Sequence, residues 1–288
     1  MKVKNNENSY AFNKNYPPFS VLISVYKNEK PEYLDLALVS VENQTIKPKE
    51  IVLVEDGPIS KELKHVILKH KACFGDGFKD IAFSQNRGLG FALRLGTNYV
   101  STEWIARMDS DDYSLPFRFE KQMKVVKEKP NIAVVGGQIC EFAENIRNIR
   151  GFRRVPTSNE KIRKFIKWRS PFNHPTVLIN KKALQKVGGY LPYGNLEDYY
   201  LWSRIISNGY SVCNLDEIIT CMRVDDGLYK RRGNLSNIRY MYLLRSYLHE
   251  HGLLRWYEKI IGDWIMTVNI LIPSGMRKIL YQHVLHRR

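Results

Sequence analysis

Apolar residues in this chain fall into short runs, separated by stretches whose apolar positions recur at helical spacing. Residues 1–18 are polar and end in Pro17-Pro18, which predicts a loose arm. Phe19 to Tyr26 is nearly continuous apolar sequence, the pattern of a strand buried on both faces. Pro31 suits a first helical turn and opens a helical pattern through Glu42. Glu50 to Glu55 reads as a second buried strand, stopped by Asp56-Gly57-Pro58. Helical patterns then cover Lys61 to His70, Gly90 to Val100 and Pro116 to Glu128. Strand runs occupy Ile81 to Phe83, Trp104 to Met108 and Ile132 to Gly137. This alternation predicts an α/β fold on a mostly parallel, doubly wound sheet. Such sheets bind ligands at the carboxyl ends of their strands. Four polar clusters fall just beyond predicted strands: Ser24–Asn28, Asp56-Gly57, Arg87-Gly88 and Asp109–Asp112.

The last cluster carries the most chemistry. Asp109-Ser110-Asp111-Asp112 packs three carboxylates into four residues after a short apolar run. Like charges at this spacing repel, and a divalent cation at a strand end would neutralise them. Mg²⁺ or Mn²⁺ takes hard oxygen ligands and completes its shell with substrate phosphates, so Asp109 and Asp111 are a candidate seat for a metal–diphosphate. The same residues also suit a solvated acidic turn, with Asp112 as the N-cap of the next helix. No Gly-x-Gly-x-x-Gly follows the first strand and no P-loop is present, which disfavours both familiar phosphate cradles.

Composition bounds the picture. The chain has 288 residues, 44% apolar and 26% charged, as expected for an ordinary globular protein with a substantial core. Its net charge of +16 is concentrated in two windows: nine Lys/Arg against one acid in 147–169, and twelve against five in 223–288. Such surfaces attract nucleic acid, anionic lipid or phosphorylated small molecules. Cys73, Cys140, Cys213 and Cys221 show no metal-ligand spacing, and the N-terminus lacks the apolar core of a signal peptide. The expectation is a cytoplasmic protein with four reduced, packing thiols.

Taken in order, Phe19–Tyr26, Val52–Gly57, Asn86-Arg87-Gly88, Arg107–Asp112 and Glu197-Asp198-Tyr199-Tyr200-Leu201-Trp202 resemble the motifs of inverting family 2 glycosyltransferases. The likeness is strongest to the bacterial enzymes of O-antigen, capsule or exopolysaccharide synthesis. It implies a GT-A nucleotide-sugar-binding domain over residues 19–225. Ser24, Tyr26 and Glu29 would line the base and ribose pocket, Asp56 would take the pyrimidine, and Arg87 would fix the nucleotide loop. Asp109 would face the ribose or sugar, and Asp111 would hold Mn²⁺ or Mg²⁺. Asp198, with Glu197 beside it, would be the base that deprotonates the acceptor hydroxyl. Both acids also suit a helix's first turn, where the dipole favours them. His174 would lie beside sugar or acceptor, or serve as a satisfied structural histidine. Arg223-Val224-Asp225 departs from the family's Arg-x-His, so Asp225 would supply a metal oxygen, or the role would pass to Lys230-Arg231-Arg232, with Arg231 reaching the diphosphate.

The resemblance further implies a UDP-sugar donor, a polyprenyl-diphosphate-linked glycan acceptor and no nucleic-acid partner. It places the protein peripherally at the inner face of a bacterial inner membrane. Two other readings stand beside it. A sugar-phosphate nucleotidyltransferase would be expected to carry a glycine-rich loop and Lys where Ser24–Glu29 stands. A basic nucleic-acid-binding protein is suggested by charge alone. The basic extension 226–288 carries helical patterns over Asn237–Glu250 and Trp256–Ile272. Its most apolar piece, Ile260–Ile272, contains Asp263 and is too short to span a bilayer. Trp256 and Trp264, with Arg255, Lys259, Arg277, Lys278, Arg287 and Arg288, suit a helix lying in an anionic interface. The alternative is that these helices cover the core.

Overall fold

The computed structural model describes residues 15–224 and 237–271. Its first half follows the predicted alternation: β1 (Phe19–Val25), α1 (Pro31–Glu42), β2 (Glu50–Glu55), α2 (Lys61–Phe74), β3 (Phe78–Ala82), α3 (Leu89–Tyr99) and β4 (Trp104–Asp109). Pro31 opens α1, and the Ser60 hydroxyl caps α2 by accepting from the Leu63 amide at 3.2 Å. The second half comprises β5 (Tyr113–Ser114), α4 (Arg118–Glu128), β6 (Ile132–Phe142), β7 (Ile149–Arg153), α5 (Asn159–Phe165), β8 (Leu178–Asn180), α6 (Lys181–Lys186), α7 (Glu197–Ser207) and β9 (Ser211–Arg223). Two helices follow, α8 (Asn237–Glu250) and α9 (Trp256–Leu271).

These strands form one nine-stranded sheet in the order β3-β2-β1-β4-β8-β6-β9-β5, with β7 paired to β6. Strands β3, β2, β1 and β4 run parallel, as do β6 and β9, while β8, β7 and β5 run antiparallel to their neighbours. After β1 the chain winds outward through β2 and β3, then crosses back to place β4 on the other side. The strand order therefore reverses between β1 and β4, the position where open α/β sheets bind ligands.

Alternation along β1 feeds two cores. Val21, Ile23 and Val25 pack with α1, α2 and α4 on one face, and Leu22 packs with α3, α5 and α7 on the other. Helix α8 joins this second core through Leu244 and Leu248, so the core-covering alternative holds for that helix. Among the described residues, no helix is long and apolar enough to cross a membrane.

The sequence pattern missed β5, β7, β9, α5 and α6. It also placed β3 at Ile81–Phe83, whereas the strand is Phe78–Ala82. Strand β9 is a long bulged strand whose register against β6 shifts three times, which blurs any period of two. The expectation of four free thiols is corrected. Cys140 and Cys221 are register partners on β6 and β9, with Cα atoms 4.7 Å apart, and are joined as a disulfide. Their separation of 81 residues hides this pairing from spacing arguments. Cys73 and Cys213 are free.

Candidate active site

Strand register brings the first predicted positions together. Ser24 on β1 is the direct partner of Asp109 on β4, and Val25 faces Glu55 on β2, so Asp56 leaves the same edge. Asp56 is buried, and its two carboxylate oxygens accept the backbone N–H groups of Arg87 and Gly88, each at 2.9 Å. Gly57 turns the chain at φ +86°, and a Cβ there would sit 2.6 Å from the Asn86 nitrogen. The loop can close on Asp56 only because that side chain is absent. Arg87, carried by this loop, stacks its guanidinium on Phe91 at 4.7 Å. Tyr26 is exposed just past β1. Glu29 accepts a hydrogen bond from the Ser110 hydroxyl, tying the β1–α1 loop to the acidic loop.

The acidic loop rests on buried cations. Arg107, buried on β4, grips Asp109 with both terminal nitrogens. Buried Arg118 donates to the Arg107 carbonyl at 2.7 Å. Asp112 does not cap the following helix. Its Oδ1 accepts the Arg223 amide at 2.8 Å, and its Oδ2 is buried without a hydrogen-bond partner. Arg223 also donates to the Asp111 carbonyl at 3.1 Å, and its guanidinium lies between the rings of Tyr33 and Phe142.

Oxygen atoms of Asp109, Asp111 and Asp112 lie within 4.8 Å of one another. Burial, and then the charges of Asp109 and Glu29, push the Asp111 carboxyl up to about 7. Burial followed by Asp111 drives Asp112 well above the carboxylate range. Three crowded hard oxygen donors, one of them beside an orphaned buried oxygen, fit a divalent cation. Asp111 is the member of the trio that no arginine grips or caps through its side chain.

A second set of acids opens α7. Asp198 accepts the Tyr199 amide at 2.7 Å, and burial raises its pKa. Glu197 keeps Oε2 buried without a partner; burial, then the Asp198 charge, pushes it up to about 7. Gly188 and Gly189, both at positive φ, turn the chain into Tyr190. The Tyr190 hydroxyl lies 3.1 Å from His174 Nε2, and the His174 ring meets Trp202 edge-on. Burial first, then the Arg107 charge, holds His174 neutral. Burial lifts the Tyr190 pKa; Arg107 opposes it, whereas Asp198, Glu197 and Asp109 add to it. The Glu197 side chain lies against the start of α3, where a Cβ on Gly90 would be 3.4 Å from it, so the α7 acids sit beside the loop that carries Arg87.

Sequence reasoning brought together Ser24, Glu29, Asp56, Arg87, Asp109, Asp111, Glu197, Asp198 and His174. It assigned no role to Arg107, Ser110, Tyr190 or Arg223. Arg107 carried a readable signal, a charge inside an otherwise apolar strand, since buried charges are retained with a partner. Asp225 and Arg231 lie outside the described residues.

An α/β sheet with an acidic loop at its switch point and paired acids on a later helix is the arrangement expected of a GT-A glycosyltransferase. Residues 20–188 match the model of Glycosyl transferase family 2, and the chain belongs to that family. It is 35% identical over 267 residues to the amylovoran biosynthesis glycosyltransferase AmsE of Erwinia amylovora, covering 92% of this chain and 98% of that one. It is 31% identical over 271 residues to the UDP-Gal:alpha-D-GlcNAc-diphosphoundecaprenol beta-1,3-galactosyltransferase of Escherichia coli, covering 94% and 98%. Among solved structures, the Pyrobaculum calidifontis mannosyltransferase in complex with GDP-Man and Mn²⁺ shares the fold, with a TM-score of 0.62 at 14% identity over 93% of this chain and 80% of that one.

Proposed function

We propose that this chain transfers a sugar, with inversion, from a UDP-sugar to a hydroxyl of a polyprenyl-diphosphate-linked glycan in bacterial surface polysaccharide synthesis. The observation that carries the reading is the trio Asp109, Asp111 and Asp112, whose oxygens lie within 4.8 Å of one another at the switch point, with the acid-bearing start of α7 packed against Gly90 just after the Arg87 loop. It offers what the reaction needs on either side of the sugar: a place for the diphosphate's charge and a carboxylate for the acceptor's proton. The full-length likeness to a galactosyltransferase acting on a diphosphoundecaprenol-linked GlcNAc supports the donor and acceptor classes.

Asp111 and Asp109, with Asp225 as a further oxygen donor, would hold the Mn²⁺ or Mg²⁺, which supplies charge stabilisation for the departing UDP. Arg107 fixes Asp109 through two hydrogen bonds. Ser24, Tyr26, Glu29, Asp56 and Arg87 ring the switch point where base and ribose would sit, and Arg231 would reach the diphosphate. His174, held neutral on Tyr190, would flank the sugar. Asp198 would take the proton of the attacking hydroxyl, with Glu197 beside it raising the charge density. Such a lipid-linked acceptor would bring the enzyme to the cytoplasmic face of the inner membrane, with its anionic surface as a partner. The nucleotidyltransferase reading yields to the family assignment.

Release of UDP on mixing a UDP-sugar, Mn²⁺ and a GlcNAc-diphospholipid, absent when any one is withheld, is the expected result. Pyrophosphate release from a nucleoside triphosphate and a sugar phosphate instead would overturn the proposal.

A further inference from the structure

Helix α9 is built inside out. A surface helix ordinarily turns its apolar stripe to the core and its charges to water. Here Trp256, Ile260 and Trp264 follow one another at i+4 spacing and are 66%, 61% and 69% exposed. Ile261, Ile265 and Val268 widen the same exposed face. The charged residues point inward. Glu258 pairs with Lys167 at 2.8 Å, and Asp263 pairs with buried Arg245 at 2.8 Å and with Lys259 at 3.0 Å. A Cβ at Gly262 would lie 1.9 Å from the Arg245 guanidinium, so that group lies directly against the helix at a position only glycine allows. The orientation is therefore fixed by buried ion pairs rather than by the apolar residues, which are left in water among the described residues.

We infer that this outward face docks on an anionic lipid surface, laying α9 in the headgroup region. The inference deepens the lipid-linked acceptor reading and rests on it for the nature of the partner. Charge complementarity selects the occupant. Both acids of α9 are turned inward and neutralised, Arg255 stands exposed at its start beside Tyr257, and residues 264–288 contain four Lys/Arg and no Asp or Glu. Tryptophans at a helix surface suit the boundary between headgroups and acyl chains, and basic residues beside them add attraction to anionic lipid.

The test is flotation of the full chain with acceptor-free vesicles, of phosphatidylcholine alone or mixed with phosphatidylglycerol. Binding is expected only to the mixed vesicles and should weaken as salt rises through the range where the screening length shrinks. Trp264→Ala should lower vesicle partitioning by about tenfold, and Ile260→Asp should abolish it. Melting temperature and UDP binding of both variants should match the parent. Asp198→Asn should float like the parent while losing transfer, which separates a failed catalytic reading from a failed docking surface. Recovery of the parent in the vesicle-free fraction would overturn the inference, as would flotation of Ile260→Asp at the parent's level. A concentration-dependent dimer that Ile260→Asp disperses would likewise overturn it, by assigning the face to a second copy.

Discussion

The two ends of the candidate site handle their carboxylates in opposite ways. On the β1–β4 side, acids are answered: Asp56 by two backbone amides, Asp109 by Arg107, Glu29 by Ser110. On the α7 side they are left short. Glu197 has a buried oxygen with no partner, and burial raises both Glu197 and Asp198. Partnered acids are held in one place, the quality required to position a nucleotide. Buried acids short of partners bind their protons more tightly than ordinary carboxylates, which suits a base, and Glu197 is pushed up to about 7. Asp111 and Asp112 together are the exception on the first side, Asp111 crowded by Asp109 and Glu29 and Asp112 left with a buried oxygen unpartnered, and that exception is where a cation belongs.

The largest expected effect strikes at this exception. Asp111→Asn removes the ligand's charge at nearly constant shape and should lower Mn²⁺-dependent turnover by about a thousandfold, the scale of several kcal/mol of charge stabilisation. Turnover titrated against Mn²⁺ checks it, and an unchanged metal dependence would remove Asp111 from the metal site. Asp198→Asn should reduce kcat by about a hundredfold or more, with UDP-sugar affinity kept. Equal damage from Glu197→Gln with a healthy Asp198→Asn would exchange their roles.

A smaller effect sharpens the contrast through pH. A base acts only when deprotonated, and Glu197 and Asp198 both hold protons more tightly than ordinary carboxylates. Activity should therefore fall on the acid side at a pH above the ordinary carboxylate range, because burial raises the pKa of Asp198. Glu197→Gln removes the neighbouring charge and should shift this acid limb to lower pH. A limb that stays in place would detach Glu197 from the titration.

The smallest effect tests the partnered side. His70, on α2, is buried, with Nδ1 2.7 Å from Glu42 and Nε2 3.0 Å from Asp35 on α1. Burial favours the neutral ring, yet the hydrogen bonds to Glu42 and Asp35 outweigh it and raise the pKa. A raised histidine pKa gives stability that is complete below the unfolded value near 6.5 and is lost as pH climbs through the folded value. His70→Gln should thus cost about 1 kcal/mol at pH 6 and less at pH 9, read as melting temperature. An equal loss at both values would show that the ring acts by shape alone.

The same contrast explains what could be read beforehand. Strands buried on both faces announce themselves as apolar runs, so β1, β2 and β4 and the edge they share were legible, and Ser24, Asp56 and Asp109 with them. The second half is short, bulged or antiparallel. Its strands β8 and β5 have three and two residues, too few for any period to show. Glu197-Asp198 was found through its motif, but the orphaned oxygen that distinguishes Glu197 depends on burial, which no local pattern encodes. Arg223 was hidden for a related reason. Its partners Tyr33, Asp111 and Ala143 come from three distant segments that only the folded sheet brings together.

That arginine also has a mechanical consequence. It is hydrogen-bonded to the acidic loop and to the carbonyls of Ala143 and Glu144, and it is wedged against two aromatic rings. The end of β9, the turn after β6 and the loop bearing Asp111 are thereby pinned at one point. Displacing any one of these three segments therefore disturbs the Asp111 backbone through the other two.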